Sequence, residues 1–262
     1  MNRFISKPDQ AINRLADCPL PQALTLPMGG RILVLAPHAD DETLGCGGTI
    51  ALLRQRGCTV RVVVVTDGRK GDPHDFCAGE VYTVRRQEVS AATAALGGTE
   101  LVFMDEPDGG VVANAELIRR LQAEFANFAA DWLFIPSLLD YHRDHVATSY
   151  AALAAWRRMG QPGRVFFYEI WAPLPANLLV DISAVMSQKK AAIDCYVLPL
   201  RYCDYRSANL GLAAYRGLYC PPAESQRFAE CFTEVHPARW PFGLDHLLLH
   251  LRMRLERRLH SA

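Results

Sequence analysis

Several absences narrow the field before any motif is read. No apolar run in the 262 residues approaches the roughly 18 needed to cross a bilayer. The N-terminus has no apolar leader core, because Pro8, Asp9, Asn13, Arg14 and Asp17 interrupt it, so the cytoplasm is the expected compartment. Eight cysteines occur without one Cys-x-x-Cys pair, which argues for reduced thiols over a disulfide framework. Charge of neither sign is in excess, with 28 Lys and Arg against 28 Asp and Glu, so no nucleic-acid partner is expected. No Gly-x-Ser-x-Gly occurs, which removes the usual serine-hydrolase elbow.

What is present concentrates in residues 31 to 48. Ile32 to Ala36 is a short apolar run of the kind that forms a buried parallel strand. It stops at Pro37, and His38, Asp40, Asp41 and Glu42 follow within five residues. Open α/β sheets place their ligands at the carboxyl ends of strands. Three crowded carboxylates repel one another and lose hydration unless a cation holds them. That is the first argument for a metal.

The rest of the chain alternates. Strands are expected at 31–36, 59–66, 101–104, 132–135, 165–168 and 178–182. Helices are expected at about 43–56, 80–96, 115–128, from the 140–145 loop to 159, and 183–196. This order predicts an α/β fold with a Rossmann-like, doubly wound, mostly parallel sheet flanked by helices. Residues 1–30, with a short helix over Gln10 to Ala16, form an N-terminal extension draped over the domain. Residues from about 197 to 262 form a helical C-terminal elaboration, with helices over Ala223 to Phe232 and Leu244 to Leu259. No linker or repeat divides the chain, so one domain over 1–262 is expected.

A second cluster lies in the loop after the Trp132 strand, where Asp140-Tyr141-His142-Arg143-Asp144-His145 leads into a helix. Neighbouring strands can bring this loop against the His38–Asp41 loop. Two imidazoles and a carboxylate then make a three-ligand site with a position open for water. A free carboxylate beside that position can take a proton from the water, and a second histidine can serve the oxyanion or the leaving amine. Metal-assisted amide hydrolysis is the chemistry these parts suit.

Here the chain resembles a known family. Pro37-His38-Ala39-Asp40-Asp41-Glu42 is similar to the Pro-His-Pro-Asp-Asp-Glu motif of the PIG-L/LmbE-like zinc-dependent N-deacetylases, and His142-Arg143-Asp144-His145 resembles their His-Pro-Asp-His. Thr66-Asp67-Gly68, Arg85-x-x-Glu88, Asp108-Gly109, and Val180-Asp181-Ile182-Ser183 with Lys189 or Lys190 also fit. The resemblance implies His38, Asp41 and His145 as zinc ligands, Asp40 as general base and His142 as acid or oxyanion stabiliser. It implies removal of an acetyl group from an N-acetylated amino sugar of the N-acetylglucosamine type, free or on a glycan or lipid-linked carrier. Fe2+ is the alternative metal for such a donor set. Ala39, Arg143 and Val146 depart from the family pattern, which bears on substrate identity more than on the metal.

Lesser candidates carry two readings each. Glu42 either stands behind the ligands or supplies helix N-terminal charge. Asp67 and Asp108 are turn residues before Gly or supports of the site. Arg85 pairs with Glu88 or clamps substrate. Arg143 offers a cation to substrate or faces solvent. Asp144 caps the following helix or orients a ligand histidine. His74, Asp75 and Cys77 match no metal-spacing rule. The Tyr/Arg-rich segment 196–219 either packs conventionally or forms a substrate platform. The final helix sets a Leu stripe against Arg252, Arg254, Arg257 and Arg258, which either packs on the domain or touches an anionic leaflet. An oligomer is compatible with the sequence. Two other functions fit parts of the pattern. An amidase of a sugar–thiol conjugate would use the same metal site. A dinucleotide-binding protein would use Gly45-x-Gly47 and Asp67, but Ile50 stands at the third glycine position and the carboxylates would repel a pyrophosphate.

Overall fold

The computed structural model describes residues 20–160, 163–221 and 224–235. The expected helices at 10–16 and 244–259, and with the latter the leaflet contact, lie outside the described residues. Among the described residues no helix is long and apolar enough to cross a membrane.

Eight strands form one sheet: β1 Gln22–Ala23, β2 Arg31–Ala36, β3 Thr59–Thr66, β4 Glu100–Glu106, β5 Trp132–Pro136, β6 Arg164–Tyr168, β7 Leu178–Asp181 and β8 Ala229–Val235. Their spatial order is β1-β7-β8-β6-β5-β2-β3-β4. All neighbours are parallel except β8, which runs antiparallel to both β6 and β7. The flanking helices are α1 Asp41–Gln55, α2 Val81–Ala95, α3 Ala115–Phe128, α4 Arg143–Arg158, α5 Met186–Ile193, α6 Val197–Leu200 and α7 Tyr205–Gly217.

The β2 pattern explains the layering. Ile32, Val34 and Ala36 face one core with α1, α2 and α5, while Leu33 and Leu35 face a second core with α3 and α4. All five are fully buried, as a strand covered on both faces requires. Each such aliphatic side chain contributes about 1.5–3 kcal/mol by leaving water. β2 pairs with β3 on one side and β5 on the other, so the chain reverses winding direction there. That crevice is where a doubly wound sheet holds its ligand.

Two regions differ from expectation. Residues 22–23 of the N-terminal stretch add a parallel edge strand to β7, and Leu24 and Leu26 are buried behind it. The helix expected over 223–232 is instead the strand β8, so the C-terminal region mixes helix and strand. Pairing decides this: β8 fills the gap between β6 and β7, where its backbone groups are satisfied. Its acidic residues are accommodated one by one. Glu234 takes a two-pronged ion pair from Arg164 at 2.7 and 2.9 Å. Glu230 turns inward to Lys189 Nζ at 2.6 Å and accepts the Gly48 and Thr49 backbone N–H groups at 2.8 Å each. Lys189 also donates to the Leu44 carbonyl at 2.8 Å. This pair pins α1, which carries Asp41 and Glu42, to the far half of the sheet.

The glycines of α1 have a packing reason. A Cβ at Gly45 would collide with the Tyr168 ring, and one at Gly48 with the Ile182 side chain. Gly45-x-Gly47 lets the helix lie close against its neighbours and presents no open phosphate cradle.

Candidate active site

The carboxyl end of β2 delivers His38, Asp40 and Asp41, and the β5–α4 loop delivers Asp140, His142, Asp144 and His145. These groups stand a hundred residues apart in the sequence; the fold brings them together. His38 Nδ1 lies 3.2 Å from His145 Nε2. Asp41 Oδ2 lies 3.3 Å from each of those nitrogens. The three atoms form a nearly equilateral triangle. A tetrahedral cation with bonds of ~2.0–2.1 Å holds its donors about 3.4 Å apart.

The outer nitrogens fix which atoms point inward. His145 Nδ1 faces Asp140 Oδ1 at 3.1 Å. His38 Nε2 faces Asp108 Oδ1 at 3.3 Å and Asp144 Oδ2 at 3.4 Å. A proton on each outer nitrogen satisfies those carboxylates and leaves the inner nitrogens as lone pairs. Three acceptors then converge with Asp41 and His145 buried, an arrangement that needs a positive charge between them. Burial opposes charge on His145, but Asp41 and Asp140 outweigh it and lift the imidazole to about 9. His38 likewise rises well above its ordinary value, burial being outweighed by Asp108, Asp144 and Asp41. Without a metal the cluster holds protons; the donor set fits a divalent cation. A different set, His38, His142 and His145, also has donor atoms close together, as does His38 with Asp108 and Asp144. The Asp41 triangle has edges of 3.2 and 3.3 Å, and its Asp41 Oδ2 also accepts the His38 backbone N–H at 2.8 Å. The carboxylates of Asp108 and Asp144 are engaged by Lys70 N at 2.9 Å and by Gly109 N and Val111 N at 2.6 and 3.1 Å.

Asp40 stands beside the triangle on a backbone with φ 153° and ψ −23°, a region that L-residues rarely occupy and that is maintained at functional sites. Arg85 secures it. Its buried guanidinium donates to Asp40 Oδ2 at 2.9 Å, to the Ala39 carbonyl, and to Glu88 Oε2 at 2.6 Å. Arg85 is thus both the Glu88 partner and the anchor of Asp40. Burial pushes the Asp40 carboxyl up to about 6, with Arg85 pulling it down and Asp41 pushing it up.

The remaining candidates fall into place. Glu42 is fully buried and receives hydrogen bonds from Thr43 Oγ1 at 2.6 Å and from the Tyr196 hydroxyl. Burial lifts it to about 7. Asp67 accepts from the Asp108 and Arg69 backbone N–H groups at 3.3 and 3.2 Å, steadying the loop that carries Asp108. Arg143 is exposed on the first turn of α4. Asp144 is not the helix cap. His142 occupies that position, its Nδ1 accepting from Asp144 N at 3.2 Å, while Asp144 turns to the Gly109 loop and His38. His74 stacks on Tyr202 at 5.6 Å, and the His74–Asp75–Cys77 trio is not among the clusters of described residues whose donors converge. Sequence reasoning assigned no role to Asp140. A single acid in a turn looks ordinary, yet this one is 1% exposed, backs His145, and accepts from His142 N at 2.8 Å and Trp171 N at 3.1 Å.

The family model described as PIG-L, GlcNAc-PI de-N-acetylase, matches residues 33–156, the segment that contributes both loops. Residues 33–156 match the PIG-L family. A relative from Mycobacterium sp. (strain KMS), a 1D-myo-inositol 2-acetamido-2-deoxy-alpha-D-glucopyranoside deacetylase, is 36% identical over 138 residues, 46% of this chain and 42% of that protein. The chain therefore spans less than half of that relative's length. A 4-oxalmesaconate hydratase from Pseudomonas putida is 25% identical over 233 residues, 78% of this chain and 89% of that protein. Among solved structures, a conserved protein from Thermus thermophilus superposes with a TM-score of 0.69 at 30% identity, covering 80% of this chain and 96% of that one.

Proposed function

We propose that this protein is a zinc-dependent hydrolase that removes the N-acetyl group from an N-acetylated amino sugar. The observation that carries the reading is the triangle of His38 Nδ1, Asp41 Oδ2 and His145 Nε2, with edges of 3.2 and 3.3 Å, beside the Asp40 carboxylate. These three residues would hold the cation. When bound, it supplies Lewis-acid activation of a water and of the amide carbonyl. Asp40 accepts the proton of the attacking water, and Arg85 keeps its carboxylate aimed at that position. His142 has its Nδ1 occupied as an acceptor by the Asp144 backbone N–H. Its neutral ring therefore carries the proton on Nε2, where it can donate a hydrogen bond to the developing oxyanion, and the proton that Asp40 takes from the water passes on to the leaving amine. Asp140, Asp108 and Asp144 hold the two ligand rings in the required tautomers. The deacetylase named among the relatives acts on an acetamido sugar, which supports this substrate class.

The test is acetate release from N-acetylglucosaminides before and after chelation, with zinc and iron added back. Turnover that survives complete metal removal defeats the reading. One observation favours a second reading: the match to the hydratase runs over most of the chain. The same residues would then direct water to a carbon–carbon double bond of an unsaturated polycarboxylate. Loss of that substrate's conjugated absorbance, with no acetate released from any sugar, would select it.

A further inference from the structure

We propose that Leu139, Tyr141 and Trp171, backed by Tyr205, form an apolar rim that binds the aglycone of the amino-sugar substrate, so the preferred substrate is a glycoside with an apolar or aryl anomeric group. The inference rests on the deacetylase reading above. Single exposed apolar side chains are ordinary, but these are gathered by one buried group. Asp140 lies between Leu139 and Tyr141 in the chain, and its Oδ2 accepts the Trp171 backbone N–H at 3.1 Å. Its Oδ1 faces His145 and accepts the His142 N–H. One carboxylate thus faces His145 and tethers the His142 and Trp171 backbones. Leu139 and Tyr141 flank it in the chain, and Leu139, Tyr141 and Trp171 are 61%, 75% and 47% exposed.

Trp171 meets Tyr205 edge-on, with ring centroids 5.7 Å apart. Tyr205 is half-buried. The rim accordingly borders His142, the chain neighbour of Tyr141, and His142 is the residue assigned to the oxyanion. Trp and Tyr offer flat apolar faces with polar edges, suited to an aryl group or the apolar face of a pyranose.

The experiment compares phenyl and methyl glycosides of glucosamine, the product amines, by calorimetry on the zinc-loaded protein. Acetate release from the matching N-acetyl glycosides is measured in parallel. Phenyl is expected to bind about tenfold tighter than methyl, the range that a filled apolar subsite supplies. Tyr141→Ser and Leu139→Ser, neither of which touches the Asp140 tether, should each shrink that ratio, and Trp171→Ala should erase it. Equal affinities, or a ratio unchanged in all three variants, overturn the rim whether or not acetate is released. A phenyl preference lost in the variants, with no acetate from any glycoside, defeats the deacetylase reading and leaves the rim standing. A dimer at working concentration that Tyr141→Ser dissociates assigns this face to a second copy and overturns the proposal.

Discussion

The protein buries two groups of charges, and they are resolved in opposite ways. The Lys189–Glu230 pair is closed. Each oxygen of Glu230 has a donor at 2.6–2.8 Å and the ammonium has two acceptors. The His38–Asp41–His145 triangle is open: Asp41 Oδ2 accepts the His38 backbone N–H at 2.8 Å, and the outer imidazole nitrogens stand 3.1–3.4 Å from carboxylate oxygens without a hydrogen bond. Lys189, Glu230, Asp41 and His145 are buried, and His38 is partly exposed. A satisfied pair orders the fold, whereas convergent acceptors are what the proposed cation would satisfy.

Breaking the open group should have the largest effect. His145→Ala is expected to reduce acetate release to the uncatalysed background, because it removes a donor and uncovers Asp41 and Asp140 together. Asp40→Asn should cost on the order of 10²–10⁴ in kcat, the range for loss of a general base, while zinc content stays at the level of the parent. A parallel loss of zinc would show that Asp40 is a ligand.

Breaking the closed group should act on the fold alone. Lys189→Met leaves Glu230 buried without its cation, a change worth about 3–5 kcal/mol in denaturant titrations. Zinc per folded chain should be unaltered. Weakening a support of the open group is milder: Asp140→Asn should lower zinc affinity roughly 10–100-fold, as loss of a carboxylate behind a ligand histidine does, measured by competition with a chelator. The last expected effect comes from the burial of a single thiol. Burial pushes the Cys231 thiol up to about 12, against a downward pull from Arg216. The folded state keeps the proton that the unfolded chain releases near ~8.5. The thiol's contribution to stability is therefore complete below that pH and is lost as pH rises toward 12. The melting temperature of the parent should fall more steeply than that of Cys231→Val over this window.

The contrast also explains what was legible in the sequence. β2, β3 and α3 were readable because their periodicity and composition agree with the environment that they enter, and both charged loops announced themselves by crowding ionisable groups at strand ends. β8 was not readable. Ala229–Val235 carries Glu230 and Glu234 where a central strand should be apolar, and only Lys189 and Arg164, distant in sequence, make those acids tolerable. Asp144 was half legible. Its position at a helix start suggested a cap, but the neighbouring His142 took the cap and freed Asp144 to reach the Gly109 loop. Asp140 was hidden because its importance lies in burial, which one acid in a turn does not reveal. Arg85 pairs with Glu88 as its spacing suggests, yet its second partner, Asp40, becomes visible only when α2 folds against the β2 loop.

The central claim is the identity of the three atoms that face one another, and metal stoichiometry by mass spectrometry on purified variants tests it most directly. One equivalent of divalent metal per chain is predicted for the parent and for His142→Ala, and none for Asp41→Ala. Retention of metal in Asp41→Ala with loss in His142→Ala would contradict the account and assign the site to the three histidines.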